Sequence, residues 1–394
     1  MLKLLKNARV FAPEDLGVGH LLVGGGRFVA VTDKLQEASA AHAAEFDLEG
    51  RRVIPGFIDG HAHVTGGGGE SGFSSRVPPV PLGQFTRAGI TTVVGLLGTD
   101  DTTRDTKSLL AQTRALRDEG LGAWCYTGGY HVPPVTLTGS VRDDIVYLDP
   151  VIGVGELALS DHRSSQPTRD ELLRIASDAH VAGMISGKAG IVHLHLGDGE
   201  RGLDLVRQAL DLTELPARVF NPTHVNRRKA LFEEAVELAR RGSTIDITAF
   251  PVAEGEDAWP AEAALLKYLE SGAPASRVTI SSDGGGCLPV FTEQGEILHW
   301  DVGQPASLMA TLKALLEQGA ELEQVLPAFT SNVADILRLH DRGRIREGDA
   351  ADLIVLDDND TISGVMIAGI WHVQDGSQQV FGQFENPTDT QEQE

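Results

Sequence analysis

Between residues 52 and 283 the chain repeats short apolar runs rich in Val, Ile and Thr. They are RVIPGFID (52–59), ITTVVGLLG (90–98), GAWCYTGG (122–129), VIGVGELALS (151–160), IVHLHLG (191–197), RVFNPTH (218–224), STIDIT (243–248) and RVTISSD (277–283). Each reads as a strand bounded by turn residues. The stretches between them carry helical periodicity. DTKSLLAQTRALRDEG ends on glycine, as does RKALFEEAVELARRG, and TRDELLRIASDAHVAG opens with Thr168 followed three places on by Glu171, a capping box. Eight strands alternating with helices predict an α/β protein with a parallel sheet, and eight is the number that closes a (β/α)8 TIM barrel.

The two ends have a different pattern. Residues 1–52 and 343–384 give short strand-like pieces broken by glycine, such as GHLLVGGGRFVAV and SGVMIAGIWHVQDG. Neither set can bury both its faces alone, so the two together predict one small β-sandwich domain built from both termini. Residues 53–342 are then the barrel, and the polar stretch 385–394 is expected to be a disordered tail.

Composition narrows the partners. The chain has 394 residues and a net charge of −23, which argues against nucleic acid and anionic membrane surfaces. No apolar run is long enough for a transmembrane helix, and the N-terminal apolar stretch is too short and interrupted for a signal peptide. Two cysteines, Cys125 and Cys287, cannot form a disulfide framework. A cytoplasmic location is expected.

One strand contains an anomaly. Glu156 sits inside the apolar run VIGVGELAL, where an unpaired carboxylate costs several kcal/mol. Other unusual residues gather at the C-terminal ends of the predicted strands: His61 and His63 after the first, His195 on the fifth, His224 on the sixth and Asp283 on the eighth. Each has an ordinary explanation singly, since a strand-end histidine is often just hydrogen-bonded and Asp283 could cap a helix. In a barrel all these ends meet at one mouth, where barrel enzymes put their chemistry. His61 and His63, at i and i+2, point the same way. Four histidines and two carboxylates exceed what one tetrahedral zinc needs, which indicates two divalent ions, with zinc the default for a His-rich set. A carboxylate can bridge them, one oxygen to each. That gives Glu156 a role, together with a shared hydroxide generated near neutral pH.

These residues amount to a resemblance. PGFIDGHAH, the later histidines, Ser-Ser-Asp at the eighth strand and the closing pattern Gly343 to Leu353 resemble the amidohydrolase superfamily. HVTGGGGESG, VVGLLGTD, TGGYHVP, SDHRS, PTHVNR and TIDIT narrow it to the isoaspartyl (β-aspartyl) dipeptidases, most clearly over residues 50 to 355. The resemblance implies cleavage of the isopeptide bond of β-aspartyl dipeptides by a small-molecule enzyme that is a homo-oligomer. His61 and His63 would hold one metal with Asp283, and His195 and His224 the other. Asp283 would carry the proton and Tyr130 would stabilise the oxyanion. Glu70 would take the substrate ammonium, Arg163 and Arg227 its carboxylates, and Gly68 and Thr99 would make finer contacts. His131, His162 and His193 read as structural.

Two positions depart from that family. It has a carboxylated lysine where Glu156 stands, and glutamate at the same backbone position falls short by roughly 3–4 Å. Gly155 looks like an inserted residue, and a glycine bulge there would restore the reach. Lys188, the other candidate bridge, precedes the fifth strand, away from the mouth. Cys287 replaces a serine that touches substrate, and cysteine is the weaker hydrogen-bond partner. The rival readings are another binuclear amidohydrolase reaction, on a cyclic amide or an N-acyl amino acid, and a non-catalytic scaffold.

Overall fold

The computed structural model describes residues 1–35, 42–291 and 297–386. Eight parallel strands form its centre: β1 (Phe57–Ala62), β2 (Ile90–Gly95), β3 (Gly122–Thr127), β4 (Val151–Leu159), β5 (Ile191–Leu196), β6 (Phe220–Thr223), β7 (Ile245–Thr248) and β8 (Val278–Ser281). The first six make one curled sheet in sequence order, and β7 pairs with β8. Polar side chains and short main-chain contacts join the edges of the two sheets. On one side Thr223 donates to Asp246 (2.8 Å) and Asn221 to the Thr244 carbonyl (2.8 Å). On the other, Ala62 bridges Gly284, and the Ser282 amide donates to Asp59 (3.1 Å).

Each strand is followed by a helix: α1 (Leu82–Arg87), α2 (Thr106–Asp118), α3 (Val141–Tyr147), α4 (Arg169–Ser186), α5 (Asp204–Leu212), α6 (Lys229–Arg240), α7 (Ala261–Glu270) and α8 (Ser307–Glu317). Local chemistry sets several ends. Thr168 and Glu171 form the expected capping box of α4, and Gly187 closes that helix in the left-handed conformation. The apolar faces of the helices pack on the strands in one large core that includes Phe85, Leu109, Ile175, Val206, Phe232 and Leu265.

The run RVIPGFID is not one strand. Arg52–Pro55 pairs in parallel with Lys3–Phe11 and antiparallel with Leu353–Leu356, and β1 begins only at Phe57. Pro55-Gly56 makes the break, and the expected division between residues 52 and 53 falls inside that short strand. It stitches the two ends of the chain together. Nine strands from both termini are joined by main-chain hydrogen bonds into a single sheet with its own core of Leu5, Val10, Leu21, Phe28, Val53, Leu353 and Met366. The terminal strands expected to form a small β-sandwich thus pair as one continuous sheet. Glu385, the first residue of the expected disordered tail, accepts hydrogen bonds from the amides of Gly83 and Gly382. Residues 387–394 of that tail lie outside the described residues. Among the described residues no helix is long and apolar enough to cross a membrane.

Candidate metal centre and substrate pocket

The strand ends bring all six expected ligands to one place. Atoms of His61, His63 and Glu156, of His61, His224 and Asp283, and of Glu156, His195 and His224 lie within 4.8 Å of one another in each trio. Glu156 is central. Its Oε1 is 3.5 Å from His63 Nε2, and its Oε2 lies 3.7 Å from His61 Nε2, 3.2 Å from His195 Nδ1 and 3.5 Å from His224 Nε2. Asp283 Oδ1 lies 3.3 Å from His61 Nε2 and 3.2 Å from His63 Nε2. Both His224 and Asp283 hold left-handed backbone conformations (φ 59° and 52°), a cost of about 1–3 kcal/mol each that clusters at functional sites.

Glu156 reaches the cluster through a bulge. Val192 faces Val154 and Leu194 faces Leu157, so Gly155 and Glu156 together lie opposite His193. A Cβ on Gly155 would sit 2.6 Å from the His193 carbonyl oxygen and 2.8 Å from its Cβ, and Gly155 has φ 153°. The inserted glycine thus lets the backbone press against β5. Gly155→Ala is expected to lower stability by about 1–3 kcal/mol through overpacking and to displace Glu156. Thermal unfolding with elemental analysis of the variant checks both; unchanged metal content and Tm would contradict it. Lys188 is remote from the cluster, donating to the carbonyls of Ile145 (2.6 Å), Leu148 (2.7 Å) and Val151 (3.0 Å).

The electrostatics suit cations. Burial alone would raise the carboxyl of Glu156, but His61 and His195 outweigh it and hold it well below the usual range. Asp283 is likewise held low, by His61 and His63 against its burial. Burial opposes charge on His61, yet Glu156 and Asp283 lift it to about 9. Burial keeps His224 neutral, down to about 3. Among the described residues, buried His61 Nε2 and Asp283 Oδ1 have no hydrogen-bond partner. Two orphaned ligand atoms within a set of four imidazoles and two carboxylates fit divalent metal.

Further polar groups surround this centre. Tyr130, buried at the end of β3, has its hydroxyl 2.7 Å from His195 Nδ1, and burial together with Glu156 raises its phenol well above the usual value. Glu70 accepts from Thr99 (2.8 Å) and from Arg163 (2.8 Å). Arg227 donates to the Leu196 carbonyl (2.7 Å) and lies 3.4 Å from His195 Nε2. Gly68 lies in the glycine-rich loop, where a Cβ would meet the Ser75 carbonyl oxygen at 2.4 Å and φ is 72°. The half-buried Cys287 thiol is pushed up to about 11 by burial, then by Glu70 and Asp283.

Three contributors were missed in the sequence. Asp161 accepts from the amide (2.7 Å), Nε (3.0 Å) and NH2 (2.7 Å) of Arg163, and from His195 Nε2 (3.1 Å). With that nitrogen donated, His195 Nδ1 presents its lone pair toward Glu156 Oε2, an approach that an intervening cation makes favourable. Gly98 leaves room for His63, whose Cε1 a Cβ there would meet at 2.8 Å. His193, read as structural, bonds directly to His61 (2.8 Å). Its i, i+2 spacing from His195 was the available signal.

Residues 52–371 match the model of the amidohydrolase family, and the chain belongs to that family. The family implies the (β/α)8 barrel that the strand order suggested. Within it, the chain is 43% identical to a β-aspartyl dipeptidase from the thermophilic keratin degrader Fervidobacterium islandicum AW-1, solved in complex with β-Asp-Leu. That match covers 96% of this chain and 99% of that one, with a TM-score of 0.89. A second structure of a β-aspartyl dipeptidase from the same organism matches at 42% identity and a TM-score of 0.88, over 96% and 99% of the two chains. Imidazolonepropionase from Paracoccus denitrificans is 24% identical over 90% of this chain and 94% of its own.

Proposed function

We propose that this chain is a metal-dependent hydrolase that cleaves the isopeptide bond of β-aspartyl dipeptides. The observation that carries the reading is the charge pattern beside the histidine–carboxylate cluster. Glu70, Arg163 and Arg227 offer one negative and two positive groups, the complement of a substrate with one ammonium and two carboxylates. The similar dipeptidase that holds β-Asp-Leu supports it. A cyclic amide lacks that pattern.

In this reading His61, His63 and Asp283 would hold one divalent cation and His195 and His224 a second, zinc by preference, with the Glu156 carboxylate within reach of both ligand sets. When bound, such ions bring the pKa of water toward 7 and polarise a carbonyl. The chain's own groups complete the reaction. Asp283, kept ionised by His61 and His63, takes the proton of the attacking water and passes it to the leaving amine. Tyr130 remains protonated and donates a hydrogen bond to the carbonyl oxygen as negative charge develops there. The Glu70–Arg163 pair opens to admit the zwitterion, Glu70 taking its ammonium and Arg163 a carboxylate. Asp161 holds the Arg163 fork in place while it does so.

Arg163→Lys is expected to raise KM for β-Asp-Leu by about 10–100-fold, the loss of a charge-assisted fork worth roughly 1.5–3 kcal/mol. Steady-state kinetics checks this, and an unchanged KM would remove Arg163 from substrate binding. The activity itself is tested by comparing β-Asp-Leu with dihydroorotate and N-acetyl-aspartate; no hydrolysis of the first would end the reading. A cytoplasmic location accords with two unpaired cysteines. A homo-oligomer would cover exposed apolar side chains such as Phe73 and Tyr147, and sedimentation showing a monomer would remove that part.

A further inference from the structure

A chain of hydrogen bonds runs away from the centre through the barrel interior. His61 Nδ1 meets His193 Nε2 at 2.8 Å, His193 Nδ1 meets Asn221 Oδ1 at 2.7 Å, and Asn221 Nδ2 donates to the Thr244 carbonyl at 2.8 Å. All three side chains are buried, and the His193 ring stacks on Tyr126 (5.0 Å between centroids, 19° between planes). His193 and Asn221 are partners in the β5–β6 register, so the backbone itself aligns them.

The polarity of this chain follows from its far end. A main-chain carbonyl can only accept, so the Asn221 atom facing Thr244 is the amide nitrogen and the one facing His193 is the oxygen. That oxygen also only accepts, so His193 Nδ1 carries a hydrogen. A neutral imidazole with a proton on Nδ1 has its lone pair on Nε2. His61 Nδ1 must then donate to it. The other nitrogen of His61, Nε2, is the buried atom without a hydrogen-bond partner that faces Asp283 and Glu156.

We propose that His193 and Asn221 form a positioning relay that fixes His61 in the Nδ1–H tautomer and turns its Nε2 lone pair to a divalent cation. The proposal rests on the metal-centre reading above and goes beyond it: two residues that touch neither cation nor substrate set the affinity of the site. The polarity starts at the Thr244 carbonyl, which has a single role, so the His61 tautomer is chosen by a main-chain carbonyl just before β7, acting through Asn221 of β6. Without the relay His61 can place its proton on Nε2 and turn that nitrogen from ligand to donor.

The test is metal affinity measured by competition with a chelator on full-length protein, using zinc as the probe. His193→Phe keeps a flat ring against Tyr126 and removes both bonds; Asn221→Leu removes the anchor. Each is expected to weaken zinc binding at one of the sites by roughly 10–100-fold. His193→Gln, whose side-chain oxygen can accept from His61 Nδ1, is expected to stay within a few-fold of wild type. Wild-type affinity in His193→Phe, with zinc bound by the parent protein, overturns the relay alone. A parent protein that binds no zinc overturns the metal-centre reading and the relay with it. Neutron diffraction of the zinc-loaded wild type gives a readout independent of whether the variants fold. Deuterium on Nδ1 of both His61 and His193 is the expected result, and deuterium on His193 Nε2 overturns the proposal.

Discussion

Asp283→Asn is expected to lower kcat on β-Asp-Leu by about 10²–10⁴-fold, the usual share of a positioned acid–base group. The asparagine is nearly isosteric and keeps one oxygen toward His61 and His63, so the shape of the pocket survives. What it cannot do is accept a proton. Asp283 has its Oδ1 within 3.3 Å of His61 Nε2 and is held ionised by the histidines around it. The variant's metal content should be measured alongside its kinetics. A large fall in kcat with metal retained isolates the proton-transfer role. A kcat within a few-fold of wild type would show that another group moves the proton.

Glu156→Gln is expected to do different damage. Among the described residues, Glu156 is the one carboxylate placed within 3.2–3.7 Å of His61, His63, His195 and His224. Its replacement removes the negative charge that the four ring nitrogens face and that two cations would share. Elemental analysis should find bound metal falling below one ion per chain, and hydrolysis of β-Asp-Leu should fall more than about 100-fold, beyond what loss of an indirect contact causes. Full occupancy in this variant would mean that the cations are held without a carboxylate bridge. The variant also separates the bridge from the proton carrier: Asp283→Asn should keep its metals and Glu156→Gln should lose them.

The parts of this structure that were legible in the sequence are those set by local chemistry or by a clear anomaly. Thr168 and Glu171 mark the start of α4 because a capping box is a contact between neighbours in sequence. Glu156 announced itself because a charge inside an apolar strand demands a partner, and Gly155 because a glycine in a strand marks a bulge. Asp161 did not stand out. It follows the end of β4 and becomes important only because His195 on the neighbouring strand approaches it. His193 looked like a core histidine, and it is buried, but its partners His61 and Asn221 come from strands far away in sequence. Val53 and Ile54 suit a buried strand in either sheet, so their apolar character could not assign them; Pro55-Gly56 was the signal that separated them from β1. The pairing of Arg52–Pro55 with both ends of the chain, which makes one sheet of the terminal strands, is a long-range choice that no local pattern reports.

The central claim is that a glutamate encoded in the chain, Glu156, would join two cations at the position where the resemblance implied a carboxylated lysine. Its most direct test is reconstitution. Protein stripped by a chelator should be returned to zinc in buffer freed of bicarbonate, with bound metal and β-Asp-Leu hydrolysis measured on the same sample. Two ions per chain and full activity without bicarbonate are the expected result. Activity that returns only when bicarbonate is added, or a chain that binds a single ion when fully active, would contradict it.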